Sequence, residues 1–257
     1  DNAHGSYLKF YSQDLHPISL GADMCCDSAH KTLPVLTGGG YLHIAKSDKY
    51  GFSKNVVNAM AIFGSTSPSY LILQSLDLCN RYIDEKIRED LVSCAEKCNE
   101  IKELMSKSGV PNISSEPLKI TADFRGTYFD FECILSENNI EYEYSDGDFT
   151  VFMLTPQNLD SDFIKLQNIF KNLGEIEKKD VESIHFPKAD RVTTVRDSVF
   201  TENEEIDIDK ALNRICASPT VSCPPAIPIA VSGERITEEH IELFKKYEIE
   251  KILVVKN

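Results

Sequence analysis

The sequence predicts an α/β domain followed by a smaller α+β domain, and three patterns carry this prediction. Two short apolar runs between turn residues, 21–28 and 38–46, are typical of buried strands. Apolar residues at helical spacing over 68–107 predict one very long helix, of the kind that links the large and small domains of many two-domain enzymes. Beyond it, helices alternate with paired strands, which favours an α+β domain. We therefore place domains at 1–110 and 111–257.

The remaining elements of the first domain follow from local signals. Residues 53–64 have helical apolar spacing and stop at Gly64. Ser67 followed by Pro68 predicts the start of the long helix, because a capping hydroxyl and a proline suit the first helical turn. The stretch GVPNISSE at 109–116 has the composition of a linker and marks the domain boundary.

In the second domain the pattern turns from helix to strand several times. Asp146-Gly147 lies between two strand-like runs and predicts a hairpin turn, which is the role we assign to Asp146 and Asp148. The charge-rich stretch 175–209 predicts loops and a short helix beginning near Asp207. The other predicted elements are strand 117–123, helix 127–139, strands 140–145 and 149–154, helix 161–174, and a helix followed by a strand within 238–255.

Composition limits the function classes. The chain has 27 Lys and Arg against 41 Asp and Glu, a net charge of −14, which disfavours nucleic acid and permits a cationic substrate. No apolar run reaches the roughly 20 residues that span a bilayer, and the first residues do not resemble a secretion signal, so we expect a cytoplasmic protein without a membrane partner. We expect the eight cysteines to be reduced, and predict no metal site, since no His or second Cys pair accompanies Cys94 and Cys98.

The segment DSAHKTLP at 27–34 raises the question of catalysis. A lysine acts as a nucleophile when its amine is partly deprotonated and held close to a carbonyl, which burial and neighbouring cations favour. Lys31, with His30 beside it and Ser28 three positions earlier, could meet those demands. Taken alone, the segment is more typical of an exposed or structural loop lysine.

The segment DNAHG at 1–5 adds the groups that pyridoxal 5'-phosphate requires. This cofactor needs a carboxylate on its pyridine nitrogen, a small residue against the ring and a lysine for the covalent bond. Asp1, Ala3 and Lys31 supply these in order. The hydroxyls of 65–67, before a predicted helix, are a candidate phosphate site, and an ordinary helix cap without a ligand is the alternative.

These motifs closely resemble the ornithine/lysine/arginine decarboxylases, a family of fold-type I pyridoxal-phosphate enzymes. The resemblance rests on DNAHG, on DSAHKTLPVLTGGGYLH and on GSTSPSYLILQSLD, and continues in 117–156 and 224–237. The upstream half of the family's large domain, with most of the phosphate cup, has no counterpart here. We therefore interpret the chain as the C-terminal part of the large domain followed by the C-terminal domain.

The resemblance implies a role for each matching residue. Lys31 would form the Schiff base with the cofactor, Asp1 would pair with the pyridine nitrogen, and His4 would lie near the substrate. The residues that would also contact the cofactor ring or its phosphate are Ala3, Ser28, His30, Ser65, Thr66 and Ser67. The last three match a segment that reaches the phosphate across a dimer interface, so we expect a homodimer or higher oligomer with its site at the interface.

The implied reaction is decarboxylation of arginine, lysine or ornithine to the amine and carbon dioxide. Two residues are assigned to the substrate side: Glu234, which could bind the cationic end of the substrate, and Cys223, where the family commonly has tyrosine. Glu234 also fits a loop that enters a helix. Two alternatives remain open: another pyridoxal-phosphate activity, such as an aminotransferase or lyase, and a non-catalytic fragment or structural subunit.

Overall fold

We analysed a computed structural model of the chain, which describes residues 1–127, 129–174, 176, 186–188, 190–219 and 228–256. It contains two compact units. The first comprises 1–123, 133–141 and 151–177, and the second comprises 124–132, 142–150 and 178–257. The predicted domain boundary after residue 110 stays a prediction.

The first unit begins with a short strand pair that frames the predicted lysine motif. Strand β1 (Met24–Asp27) pairs antiparallel with β2 (Tyr41–Ile44), with Cys25 opposite His43. The one-turn helix α1 (Ala29–Thr32) follows β1 directly and carries Lys31. Both predicted strands are confirmed, although each is shorter than its apolar run.

The predicted single helix over 68–107 is wrong. This stretch forms two helices, α3 (Tyr70–Glu85) and α4 (Ile87–Lys107), which Lys86 separates with φ −143°. The separate helix predicted over 53–64 is confirmed as the shorter α2 (Val56–Phe63). The start of α3 also differs, because its cap is Ser69, whose Oγ accepts a hydrogen bond from Ile72 N. Helix α4 forms much of the core, burying a face at helical spacing that comprises Ile87, Leu91, Cys94, Ala95, Cys98, Ile101 and Met105.

The middle of the chain follows the predicted order with shorter elements. Strand β3 (Lys119–Asp123), helix α5 (Phe131–Glu137), strands β4 (Tyr144–Ser145) and β5 (Phe149–Met153) and helix α6 (Asp160–Asn172) occur in turn. The sheet order is β3-β5-β4. The predicted hairpin is confirmed, and Asp146 Oδ1 accepts hydrogen bonds from the N–H groups of Asp148 and Phe149.

The last part of the chain contains two elements that the sequence did not predict. Helix α7 (Val195–Phe200) and strand β6 (Asn203–Asp207) lie where loops were expected, and the helix expected near Asp207 is a single 3-10 turn, Ile208–Lys210. Helix α8 (Glu238–Lys246) and strand β7 (Lys251–Val255) are as predicted, and β7 pairs antiparallel with β6. None of the helices in the described ranges combines the length and the hydropathy that a bilayer-spanning segment requires.

Candidate active site

Lys31 and His4 meet in the first unit. Nζ of Lys31 lies 2.9 Å from Nε2 of His4, and both residues are half-buried. A hydrogen bond between an amine and an imidazole nitrogen requires one proton between them, so the pair can hold a proton and pass it from one atom to the other. Lys31 is thus not an exposed loop lysine, and its partner is an imidazole.

The segment 1–5 reaches Lys31 because it is bonded to β1. The N–H of Asn2 donates to the carbonyl of Cys26 at 2.9 Å, and Nδ2 of Asn2 donates to Oδ1 of Asp27 at 2.8 Å. Gly5 leaves room for the Asn2 side chain, since a Cβ built on it would lie 2.0 Å from Oδ1 of Asn2. The first two predicted motifs therefore come together along one edge of β1.

The residues of that segment suit a pyridinium ring. Asp1 is exposed and its Oδ1 accepts a hydrogen bond from the N–H of Ala3 at 2.9 Å. Within the described chain, its Oδ2 accepts no hydrogen bond and is open to an outside donor such as a pyridine N–H. Ala3 presents only a methyl group, which leaves room for a flat ring.

His30 and Ser28 are the polar neighbours of Lys31 that were predicted to contact a phosphate. Both the backbone N–H and Nδ1 of His30 donate to the carbonyl of Gly39, at 3.2 and 2.9 Å. We assign a proton to Nδ1 on this ground, and no hydrogen bond to Nε2 of His30 is described. Ser28 is the N-cap of α1, and its side chain makes no capping hydrogen bond. The Ser28 hydroxyl could donate to an anion, and His30 could do so from Nε2 when its imidazole carries a second proton, so the predicted phosphate role of both residues stays a prediction.

No hydrogen bond described for the other predicted residues joins them to this group. Ser65, Thr66 and Ser67 are exposed between α2 and α3, and the one hydrogen bond described among them joins Ser67 N to Ser65 Oγ at 3.1 Å. In the second unit, Oε2 of Glu234 accepts the N–H of Val231 at 2.9 Å and so closes a turn. Cys223 lies outside the described residues. The predicted roles of these residues stay predictions.

Sequence reasoning missed a buried polar cluster beneath the segment 1–5. Oδ2 of Asp27 lies 3.0 Å from Nε2 of His16 and 3.1 Å from Nε2 of His43. Burial, with the nearby Asp27 carboxylate, raises the pKa of Cys25 to about 11. The sequence signal that could have indicated this cluster is the alternation of side chains in the strand MCCD. It directs Cys25 and Asp27 to the same buried face of β1.

Comparison with known proteins shows the family to which the chain belongs. A family model described as the Orn/Lys/Arg decarboxylase major domain matches residues 1–122, and one described as the C-terminal domain of the same enzymes matches 175–249. The chain belongs to the Orn/Lys/Arg decarboxylase family. The resemblance stated from the sequence motifs is thereby confirmed.

Individual relatives agree with the family assignment. The chain is 27% identical to an arginine decarboxylase of Bacillus subtilis over 269 residues, covering 96% of this chain and 54% of the relative. An arginine decarboxylase of Bacillus anthracis is 28% identical over 273 residues, with coverage of 96% and 54%. The chain spans about half the length of the curated relatives it matches.

Solved structures show the same fold. The constitutive lysine decarboxylase of E. coli matches all of this chain and 54% of its own, with a TM-score of 0.69 and 15% identity. The lysine decarboxylase of Francisella novicida matches 98% of this chain and 51% of its own, with a TM-score of 0.70 and 16% identity. The predicted α/β fold class is confirmed.

Proposed function

We propose that the protein containing this chain decarboxylates a basic amino acid with pyridoxal 5'-phosphate as its cofactor. The observation that carries the proposal is the meeting of Lys31 with the segment 1–5. The two come together through the 2.9 Å contact between Lys31 and His4 and through the bonds of Asn2 to β1.

Each neighbour has a chemical task in this proposal. The bound cofactor supplies an electron sink for the pair of electrons left when carbon dioxide departs. Lys31 holds the cofactor covalently, Asp1 keeps its ring nitrogen protonated, and Ala3 packs against the ring. His4 takes or returns a proton at Nζ of Lys31, which an imidazole can do near neutral pH. His30 and Ser28 contact the phosphate.

The substrate is proposed to be arginine, lysine or ornithine, in line with family membership and with relatives named arginine decarboxylase. The net charge of −14 supports a cationic substrate, because an acidic surface raises its local concentration. A carboxylate is the expected partner for its side-chain cation, and Glu234 remains our proposal for that partner.

The test uses the full-length protein with added pyridoxal 5'-phosphate. Carboxyl-labelled arginine, lysine and ornithine are supplied separately, and released carbon dioxide is counted. We expect release from at least one of them, and none with Lys31→Ala. Transfer of the amino group to a keto acid without carbon dioxide would identify an aminotransferase instead. If the cofactor's visible absorbance is the same in Lys31→Ala and the parent, Lys31 is not its anchor.

We also propose that the working form is a homodimer. No residue of α2 is buried, although the helix is almost wholly apolar, and Phe63 is 90% exposed just before Ser65. Exposed apolar surface of this extent marks an interface. A second copy covering α2 would bring the hydroxyls of Ser65, Thr66 and Ser67 to a subunit boundary, which agrees with their predicted phosphate role.

Sedimentation velocity tests the dimer. Ile62→Glu and Phe63→Glu place charges on the exposed face of α2 and should shift the full-length protein from dimer to monomer. Val195→Glu, at an apolar position that is 52% exposed on α7, is the matched control and should leave the dimer intact. A monomeric parent, or dimeric α2 variants, would contradict the proposal.

We further propose a cytoplasmic location, which suits the free thiols of the seven cysteines in the described ranges.

A further inference from the structure

We propose that Asp27 is a positioning residue that holds the segment 1–5, and with it Asp1 and Ala3, in place beside Lys31. The proposal rests on the function proposed above, since that function gives Asp1 and Ala3 their task. Asp27 itself is 4% exposed and does not contact Lys31 in the described structure. It acts through Asn2, the residue between Asp1 and Ala3.

The surroundings of Asp27 explain why a carboxylate is buried there. A buried carboxylate is costly unless donors surround it, and charge-assisted hydrogen bonds are about twice as strong as neutral ones. Oδ2 faces Nε2 of His16 and of His43, at 3.0 and 3.1 Å, and Oδ1 accepts Nδ2 of Asn2 at 2.8 Å. The Sγ of Cys25 lies 3.8 Å from Oδ1.

These donors come from separate stretches of chain. His16 belongs to the loop before β1, His43 to β2, and Asn2 to the segment 1–5. Asp27 therefore ties three stretches to the end of β1, one residue before Ser28. Only one of the three, the Asn2 stretch, also carries proposed cofactor contacts, so the hydrogen bond between Asn2 and Asp27 is the one that links the buried cluster to the site.

The same side chains have the composition of a metal site, because ligand atoms of His16, Asp27 and His43 lie within 4.8 Å of one another. The tautomer of His16 favours the hydrogen-bonded arrangement. Its Nδ1 accepts the N–H of Ile18 at 3.3 Å, so the proton is on Nε2 and is directed at Asp27. A metal on Nε2 would need that proton to move to Nδ1, against the N–H of Ile18.

An exchange of the two partners tests the idea. Asn2→Asp sets two carboxylates against each other where an amide now donates at 2.8 Å, and should release the segment 1–5 from β1. The exchange variant Asn2→Asp/Asp27→Asn restores the pair, because the amide then at position 27 can turn its oxygen to the histidines and its NH₂ to the carboxylate then at position 2. Asp27→Asn alone should have a small effect on the position of the segment 1–5. Asn2 can rotate its amide so that its oxygen accepts a hydrogen bond from the amide then at position 27.

The first measurement is the dissociation constant of pyridoxal 5'-phosphate in the full-length protein. A charged hydrogen bond of ordinary strength predicts binding about 10- to 100-fold weaker in Asn2→Asp. The dissociation constant of the exchange variant should return to within about 3-fold of the parent value, a smaller change than the loss of one such hydrogen bond would cause. Asp162→Asn, which removes a carboxylate that accepts the N–H of Leu159 at 2.9 Å, is the matched control and should leave binding unchanged.

The second measurement is hydrogen exchange over residues 1–5 without cofactor, so that it does not depend on the proposed function. Exchange should rise in Asn2→Asp and fall again in the exchange variant. If the parent fails to bind the cofactor but exchange follows this pattern, the proposed function is wrong and the positioning role stands. Unchanged exchange in Asn2→Asp would overturn the positioning role. So would stoichiometric binding of added Zn²⁺ that Asp27→Asn abolishes.

Discussion

Nζ of Lys31 and Nε2 of His4 are 2.9 Å apart, although the residues are separated by 27 positions in the chain. This contact fixes the direction in which Lys31 points. It also means that the lysine has a proton partner within its own chain before any ligand arrives.

His4→Gln tests the proton-transfer task of that partner. Glutamine keeps an acceptor for the amine of Lys31 but cannot carry a proton, so we expect the cofactor still to bind. Turnover of the full-length protein should fall by about 100- to 10,000-fold, the usual range for loss of a general acid or base. The measurement is carbon dioxide release under single-turnover conditions. Turnover within about 3-fold of the parent, far below that range, would assign His4 a structural task only.

Gly5→Ala tests the packing of the segment 1–5. The new Cβ would lie 2.0 Å from Oδ1 of Asn2, so the Asn2 side chain must move away from Asp27. A buried acceptor left without its donor costs about 1–3 kcal/mol, and we expect a loss of this size in the free energy of unfolding from urea melts. In an Asn2→Ala background the same glycine substitution should cost much less, because the contact is already gone. Equal costs in both backgrounds would contradict this account.

The sequence identified site residues where the chemically important groups lie within short motifs. Lys31, Asp1 and His4 were identified from short motifs, and the structure brings their segments together on β1. Asp27 was not identified, because its partners His16 and His43 are distant in the chain and only the fold makes them neighbours. A lone aspartate beside SAHK gives no sign of two imidazoles.

The interruption at Lys86 escaped prediction for a different reason. Apolar residues continue at helical spacing from α3 into α4, and Lys86 is a good helix former, so no local signal marks a break. Hydrogen bonds between side chains that are distant in the sequence mark the break instead. The hydroxyl of Tyr82 donates to Oδ2 of Asp90 at 3.0 Å across the break and accepts Nε2 of Gln157 at 3.1 Å.

Tyr82→Phe should therefore destabilise the first unit modestly. The loss leaves Asp90 and Gln157 without a shared partner at the α3–α4 break, and a cost of about 1 kcal/mol is expected for one hydrogen bond of this kind. Burial raises the pKa of Tyr82 to about 12, so the hydroxyl keeps its proton throughout the neutral range. The cost should accordingly be the same at pH 6 and pH 9 in urea melts, and a cost that vanished at pH 9 would show that another group is responsible.

His240 predicts a pH dependence of stability in the second unit. Nδ1 of His240 accepts the N–H of Thr237 at 3.1 Å and contacts its Oγ1 at 2.8 Å, in the position where a capping box usually has Glu or Gln. The bond from the N–H requires Nδ1 without a proton, and Thr237 Oγ1 then donates to the same nitrogen. Burial lowers the pKa of His240 below the ordinary 6.5, even though Glu234 and Glu239 act in the opposite direction.

The stability of the second unit depends on pH because folding weakens proton binding to His240. Between the lowered folded pKa and 6.5 the unfolded chain binds more protons than the folded one, so stability rises with pH in that window. The contribution of His240 is complete above about pH 6.5 and is lost as pH falls towards the folded pKa. His240→Gln keeps the cap and removes the titration. The parent should therefore lose melting temperature relative to this variant between pH 7.5 and pH 5, whereas parallel curves would mean that His240 does not titrate on unfolding.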